Sequence, residues 1–285
     1  MRDTISIVMP AYRAEATIVR AVASALAQSH PHWELLIISD DQTDYKAVLA
    51  HAGIADQRLR FLTTGAIGSG SSAARNVALD VATTPYVAIL DADDVLHPEK
   101  LERALAVLPE YGIVSTALQV MGADMSPLRQ VGAGPDCILD AGSYKFTNFS
   151  MDSMLVYDRE KADPRFDVEL MRLTDIDFLL KLFAVNPQCF HLGAPLHQYV
   201  KEPQSVSNRP GASARLITAK AQLLQRLRNG HYPLADPGGL GGMIRFWEIS
   251  QRAEEAYASR LAANPGLLFE DHLEPRLKAA STSDA

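Results

Sequence analysis

The sequence predicts an α/β fold in which a single mostly parallel sheet is flanked by helices and followed by a helical C-terminal appendage. Three observations predict it. First, residues 5–10 (ISIVMP), 34–39 (ELLIIS), 59–63 (LRFLT) and 86–90 (YVAIL) are short apolar runs bounded by polar or turn residues, the pattern of strands buried on both faces. Second, helical spacing lies between them. Ile18, Val22, Ala25 and Leu26 form one stripe, Val77, Leu79 and Val81 fall in another, and Leu101, Leu105 and Leu108 form a third that Pro98 opens. Third, strand and helix alternate up to residue 115, which is how a Rossmann-like parallel sheet is encoded.

Beyond residues 113–118 the alternation weakens. The stretch 122–142 is rich in Gly, Pro and Asp without a period and reads as loop. Residues 154–157 read as a strand, and Ile176, Leu179, Leu180 and Phe183 as the buried face of a helix. Thr174 and Asp177 have capping-box spacing at its start. Two further helical stretches, 212–227 and 243–261, are separated by Pro233, Pro237 and four glycines within 238–242. The small polar residues 279–285 are expected to be disordered. The chain thus divides into a first half (1–118), a second half of the same domain (119–208), a helical appendage (209–278) and a tail (279–285).

With 47% apolar residues the chain can bury a sizeable core, and its formal charge of −7 argues against a nucleic-acid binder, which needs clustered Lys and Arg. An acidic protein that binds phosphates needs a cation. The two cysteines, Cys137 and Cys189, stand outside any CxxC pattern and suggest neither a disulfide framework nor a zinc site, so a cytoplasmic location is expected. No apolar run is long enough to span a bilayer, leaving a soluble protein or one peripheral on the inner face of the plasma membrane. Arg215, Lys220, Arg226 and Arg228 could aid such docking, but a solvated helix face accounts for them as well.

The segment LDADDVLHPEKL places Asp91, Asp93 and Asp94 immediately after a strand, at the carboxyl end, where open parallel sheets bind ligands. Carboxylates at this density repel one another unless a cation holds them, and their hard oxygens suit Mn²⁺ or Mg²⁺ bridging to a diphosphate. The competing possibility is an acidic turn that caps the next helix.

Together with four other segments in the same order, this one makes the chain resemble an inverting family-2 glycosyltransferase of the glycosyltransferase A fold. SIVMPAYRAEATI is similar to the family's opening strand and nucleotide-facing loop, implying that Pro10, Ala11 and Tyr12 border the base, with Glu15 nearby. A tyrosine there can stack on uracil. ELLIISDDQTD ends in Asp40 and Asp41, and the resemblance implies that Asp41 accepts a hydrogen bond from the base. The family usually writes DDGSTD, so this turn is one residue shorter. GSGSSAARN resembles a Gly-rich loop whose arginine, here Arg75, faces the nucleotide, with helix-start amides favouring an anion. The acidic cluster implies Asp91, Ala92 and Asp93 at the donor and Asp91, Asp93 and Asp94 at the metal. LTDIDFLLKLF is similar to the segment that supplies the catalytic base, with Thr174 and Asp175 where the family usually has Glu-Asp. Asp175 is then the carboxylate that takes the acceptor proton.

HQYVKEPQSVS resembles a strand and loop that close the donor site, with Lys201 near the diphosphate, while His197 reads more readily as a structural histidine than a metal ligand. Trp33, Trp247, Phe146 and Phe149 read as core or acceptor-wall residues. The resemblance implies a nucleotide-sugar donor, most simply a UDP-sugar, and a saccharide or glycolipid acceptor in polysaccharide, lipopolysaccharide or glycolipid synthesis. Two rivals are a sugar nucleotidyltransferase, which lacks its expected Gly- and Lys-rich first turn here, and a non-catalytic scaffold of the same fold.

Overall fold

A computed structural model describes residues 3–150, 154–170, 172–201, 212–234 and 236–282. The first half contains β1 (Ile5–Ala11), α1 (Ile18–Leu26), β2 (Trp33–Ser39), α2 (Tyr45–His51), β3 (Leu59–Thr63), α3 (Ser71–Val81), β4 (Tyr86–Ile89), β5 (Val95–Leu96), α4 (Lys100–Leu105) and α5 (Leu108–Tyr111). The second contains β6 (Ile113–Gly122), β7 (Pro127–Val131), β8 (Cys137–Asp140), α6 (Ala141–Thr147), β9 (Val156–Asp158), α7 (Thr174–Phe183) and β10 (Gln188–Lys201). Three helices follow, α8 (Ala212–Arg228), α9 (Pro237–Ala263) and α10 (Phe269–Thr282).

One sheet runs through both halves in the order β3-β2-β1-β4-β9-β6-β10-β5, with β7 added to β6 and β8 to β10. Its first four strands are parallel, as expected. Beyond β4 the sheet becomes mixed: β6 and β10 keep the common direction and pair parallel with each other, so six of the ten described strands run the same way, whereas β9 enters antiparallel between β4 and β6, and β5, β7 and β8 are also antiparallel. Side chains of β1 alternate between two cores. Ile5, Ile7 and Met9 pack with Ile18, Val22 and Ala25 of α1, whereas Val8 packs on the opposite face with Ala74 and Ala78 of α3. That second core is continuous through Phe178 and Leu179 of α7 to Leu223 of α8 and Phe246 of α9.

The loop expected over 122–142 contains β7 and β8, strands too short and irregular to show a period of two. The Leu101–Leu108 stripe is split between α4 and α5, ending at Gly112 in a left-handed cap. The glycines of 238–242 do not separate helices but lie within α9, which starts at Pro237 with Asp236 capping the amides of Gly238 and Gly239. Their smallness is used in packing: a Cβ on Gly242 would lie 2.6 Å from the Cα of Gly142 in α6. The expectation of disorder from residue 279 is corrected over 279–282, where α10 continues to Thr282; residues 283–285 lie outside the described residues. Trp33, Trp247 and Phe146 are core residues, Phe146 and Trp247 both meeting Phe246 edge-on.

Candidate active site

The carboxyl ends of β1, β2 and β4 converge on one rim, and the loops there are wired by carboxylates. Asp40, buried after β2, accepts from the Thr64 hydroxyl at 2.8 Å and from the amides of Ser69 and Gly70 at 3.0 and 2.8 Å. Ser69 and Gly70 lie just ahead of α3, Gly70 being its cap residue, so Asp40 fastens the Gly-rich loop immediately before the helix. Asp41 has four internal donors: Ser39 Oγ and the Thr43 amide on Oδ1, and the Arg13 amide and the Tyr45 hydroxyl on Oδ2, at 2.5–3.1 Å. Burial would raise its pKa, but the Arg13 and Thr43 amides and the Tyr45 hydroxyl hold the carboxyl below the ordinary value. Tyr45 also accepts from the Ala14 amide. Through Asp41 and Tyr45 the loop after β1 is fastened to the loop after β2, with Tyr12 left 40% exposed between Ala11, which is buried, and Glu15, which is exposed. Pro10 is half-buried in β1. In the shortened DDQTD turn Gln42 takes φ of 64°, a left-handed conformation that glycine adopts at lower cost.

The acidic turn after β4 is held at every position. Arg75, buried on α3, donates to Asp91 Oδ1 at 2.6 Å, with its guanidinium 5.2 Å from the Phe166 ring centroid. Ala92 is buried. Arg20 of α1 donates to the Asp93 carbonyl at 2.8 Å, and the Asp94 amide returns to the Asp91 carbonyl at 3.1 Å, closing a turn. Asp91 and Asp93 are partly exposed. Asp94 is not: it is 1% exposed and its carboxylate accepts from the Val200 amide and from His197 Nε2, each at 3.0 Å. Its assignment to the metal is therefore corrected, because both oxygens point into the protein. Burial, with Asp93 and Asp91 nearby, pushes the Asp94 carboxyl well above the ordinary range. Behind it, Lys100 Nζ lies 2.8 Å from His197 Nδ1 and donates to the Met154 carbonyl at 2.9 Å. Burial lowers the Lys100 pKa to about 7 against the pull of Asp94, and burial and Lys100 lower that of His197.

Asp175 lies in the first turn of α7, half-exposed. The capping box expected there is absent: Leu173 occupies the cap with φ of 57°, and Thr174 is already helical. Asp177 is instead fully buried, accepting from Tyr232 and Arg226 at 2.7 and 3.1 Å and pairing with Lys181 at 2.6 Å. This fixes α7 against the C-terminal helices. From the other side Phe166 stacks on Phe178 at 4.1 Å and its backbone meets Asn76 twice at 2.9 Å, so one residue braces both Arg75 and α7. Lys201 is drawn away from any free role by Glu270 of α10, at 2.9 Å, which also accepts from Ser150. Lys220 and Arg226, which composition allowed as a solvated face, pair inward with Glu254 and with Asp167 and Asp177.

Arg20, Tyr45, Lys100, Phe166 and Glu270 had not been singled out from the sequence. None carried a clear signal there: Lys100, for one, stands just before the stripe that begins at Leu101 and reads as an ordinary surface lysine.

The parallel half-sheet with a wired acidic turn at its carboxyl edge is the arrangement at which open α/β sheets bind ligands. Residues 6–150 match the family described as glycosyl transferase family 2, and the chain belongs to that family and is a glycosyltransferase. It is 28% identical over 263 residues to TuaG of Bacillus subtilis, a protein named for teichuronic acid biosynthesis, covering 91% of this chain and 98% of that one. It is 36% identical over 112 residues to WfgD of Escherichia coli, named a UDP-Glc:alpha-D-GlcNAc-diphosphoundecaprenol beta-1,3-glucosyltransferase, covering 38% of this chain and 42% of that one. Among solved structures, S. aureus TarS 1-349 in complex with UDP-GlcNAc superposes with a TM-score of 0.69 at 17% identity, over 97% of this chain and 79% of that one. That likeness establishes the glycosyltransferase A-type fold with a helical C-terminal region.

Proposed function

We propose that the protein transfers a sugar, with inversion, from a UDP-sugar to a hydroxyl of a saccharide or glycolipid acceptor during assembly of a cell-surface polysaccharide. The observation that carries the reading is the turn 91–94: two partly exposed carboxylates held at the carboxyl edge of a parallel sheet, beside a buried arginine. The donor named for TarS and the lipid-linked acceptor named for WfgD agree with it. Among the described residues no helix is long and apolar enough to cross a membrane, so a lipid-linked acceptor would be met at a membrane surface.

The donor set fits a hard divalent cation. Among the described residues no three His, Cys, Asp or Glu side chains gather to cage a metal, but Mn²⁺ or Mg²⁺ needs only one or two carboxylates and completes its shell with water and substrate phosphates. Asp91 and Asp93 would hold it. When bound, the cation supplies a Lewis acid against the departing diphosphate. Tyr12 offers its exposed ring to the base, bordered by Pro10 and Ala11, and Asp41 fixes the loop that presents it. Its four internal bonds occupy the lone pairs of an ionised carboxylate, so a base N–H would have to displace one of them. Asp175 takes the proton of the acceptor hydroxyl while that oxygen bonds to the anomeric carbon and the electron pair of the broken C–O bond leaves on the diphosphate.

The test is hydrolysis and transfer with a panel of UDP-sugars. Release of UDP with Mn²⁺ and none in EDTA is expected. Equal release under both conditions would sink the cation, and pyrophosphate as the product would move the protein to nucleotidyl transfer.

A further inference from the structure

The three ionisable side chains beneath the acidic turn, Asp94, His197 and Lys100, are all buried, and none can reach a ligand. Removing such groups from water is costly, and an apolar cluster of the same volume would serve a merely packed core at least as well. The geometry is also polarised. An ammonium at Lys100 has only donors, so His197 Nδ1 must accept, which puts the ring proton on Nε2 and aims it at Asp94 Oδ2. Asp94 Oδ1 is filled by the Val200 amide. The carboxylate that ends the turn is thereby fixed in direction by two strands and a helix: His197 and Val200 belong to β10, Lys100 opens α4, and β10 pairs with β5 immediately after the turn. Arg75 and Arg20 hold Asp91 and Asp93 directly; at the fourth position the Asp94 amide closes on the Asp91 carbonyl, Val200 fixes one carboxylate oxygen, and the other is aimed by His197 with Lys100 behind it.

We infer that Lys100 and His197 are positioning residues: through Asp94 they fix the orientation of the turn 91–94, so that the affinity of Asp91 and Asp93 for a divalent cation depends on two side chains that never touch it. The inference rests on the cation reading above. Partners that orient the groups around a metal typically change its affinity about 10–100-fold when removed.

Binding of Mn²⁺ to the UDP-saturated protein, read from the electron paramagnetic resonance of the unbound ion, tests it without turnover. Lys100→Met and His197→Leu are each expected to weaken Mn²⁺ binding by about tenfold or more. In transfer assays they should raise the half-saturating Mn²⁺ concentration while leaving the rate at saturating Mn²⁺ close to wild type. His197→Gln should bind Mn²⁺ as wild type does, because its amide can accept from Lys100 and donate to Asp94. Folded Met and Leu variants with unaltered Mn²⁺ affinity overturn the inference. If those variants do not fold, loss of Mn²⁺ binding in a folded His197→Gln protein overturns it instead. Wild-type protein that binds no Mn²⁺ removes the cation reading itself, a different result from tight wild-type binding with indifferent variants.

Discussion

The carboxylates at the sheet edge and Asp175 at the start of α7 differ in how far their oxygens are occupied. Asp40, Asp41 and Asp94 have their oxygens filled by amides, hydroxyls and a histidine, and Asp91 is engaged by an arginine. In α7, Asp177 is filled in the same way by Arg226, Tyr232 and Lys181, yet Asp175, two residues earlier, has no hydrogen-bond or ion-pair partner among the described residues. A carboxylate that fixes backbone needs saturated lone pairs. One that must accept a proton needs an open one, because every donor already aimed at it opposes protonation.

The largest effect that could break this contrast is on stability. Asp177→Ala strips two cations and a tyrosine of a fully buried partner, and a loss of about 3–5 kcal/mol is expected. Thermal unfolding should fall well below that of the wild type, while Asp175→Asn should melt normally. Equal melting temperatures for the two would dissolve the division between a structural and a reactive aspartate.

Next in size is the rate. Asp175→Asn should lower transfer by on the order of a hundredfold, which is about 2.7 kcal/mol in barrier, with UDP affinity in Mn²⁺ retained by calorimetry. Near-normal turnover would leave the base elsewhere.

The smallest effect sharpens the contrast at Lys201. Burial would raise the Glu270 carboxyl, but the Lys201 charge, its hydrogen bonds and Ser150 hold it below the ordinary 4.5. A depressed folded-state value means the pair stabilises the fold above the unfolded pKa and ceases to do so as pH falls through the folded one. Wild-type melting temperature should therefore drop more steeply below pH 4.5 than that of Glu270→Gln. Parallel curves for the two proteins would deny Glu270 that role.

The first half of the fold was legible because each parallel strand is buried on both faces, and continuous apolar runs such as ISIVMP and YVAIL, too short for helices and closed by turn residues, fit little else. β7 and β8 were not, because PLRQV and CILD are half-exposed edge segments set among Gly and Pro. Asp91, Asp93 and Arg75 could be singled out from their strings alone, and the structure brings Asp91 and Arg75 together. The inward turn of Asp94 could not be read, since its partners Val200 and His197 lie more than a hundred residues away. Asp177 failed for a similar reason: local spacing offered a cap, while Tyr232 and Arg226, far along the chain, supplied stronger donors.

The backbone approach of Gly142 to Gly242 bears on how the protein could be dissected. Two glycines in such contact leave no side chain to refill the gap if one partner is cut away, and α6 would expose Tyr144 and Phe146, which pack in the same core as Phe246. The helices after β10 are thus a wall of the transferase, and a chain trimmed to its family-matched residues would be an open half-shell, not a minimal enzyme.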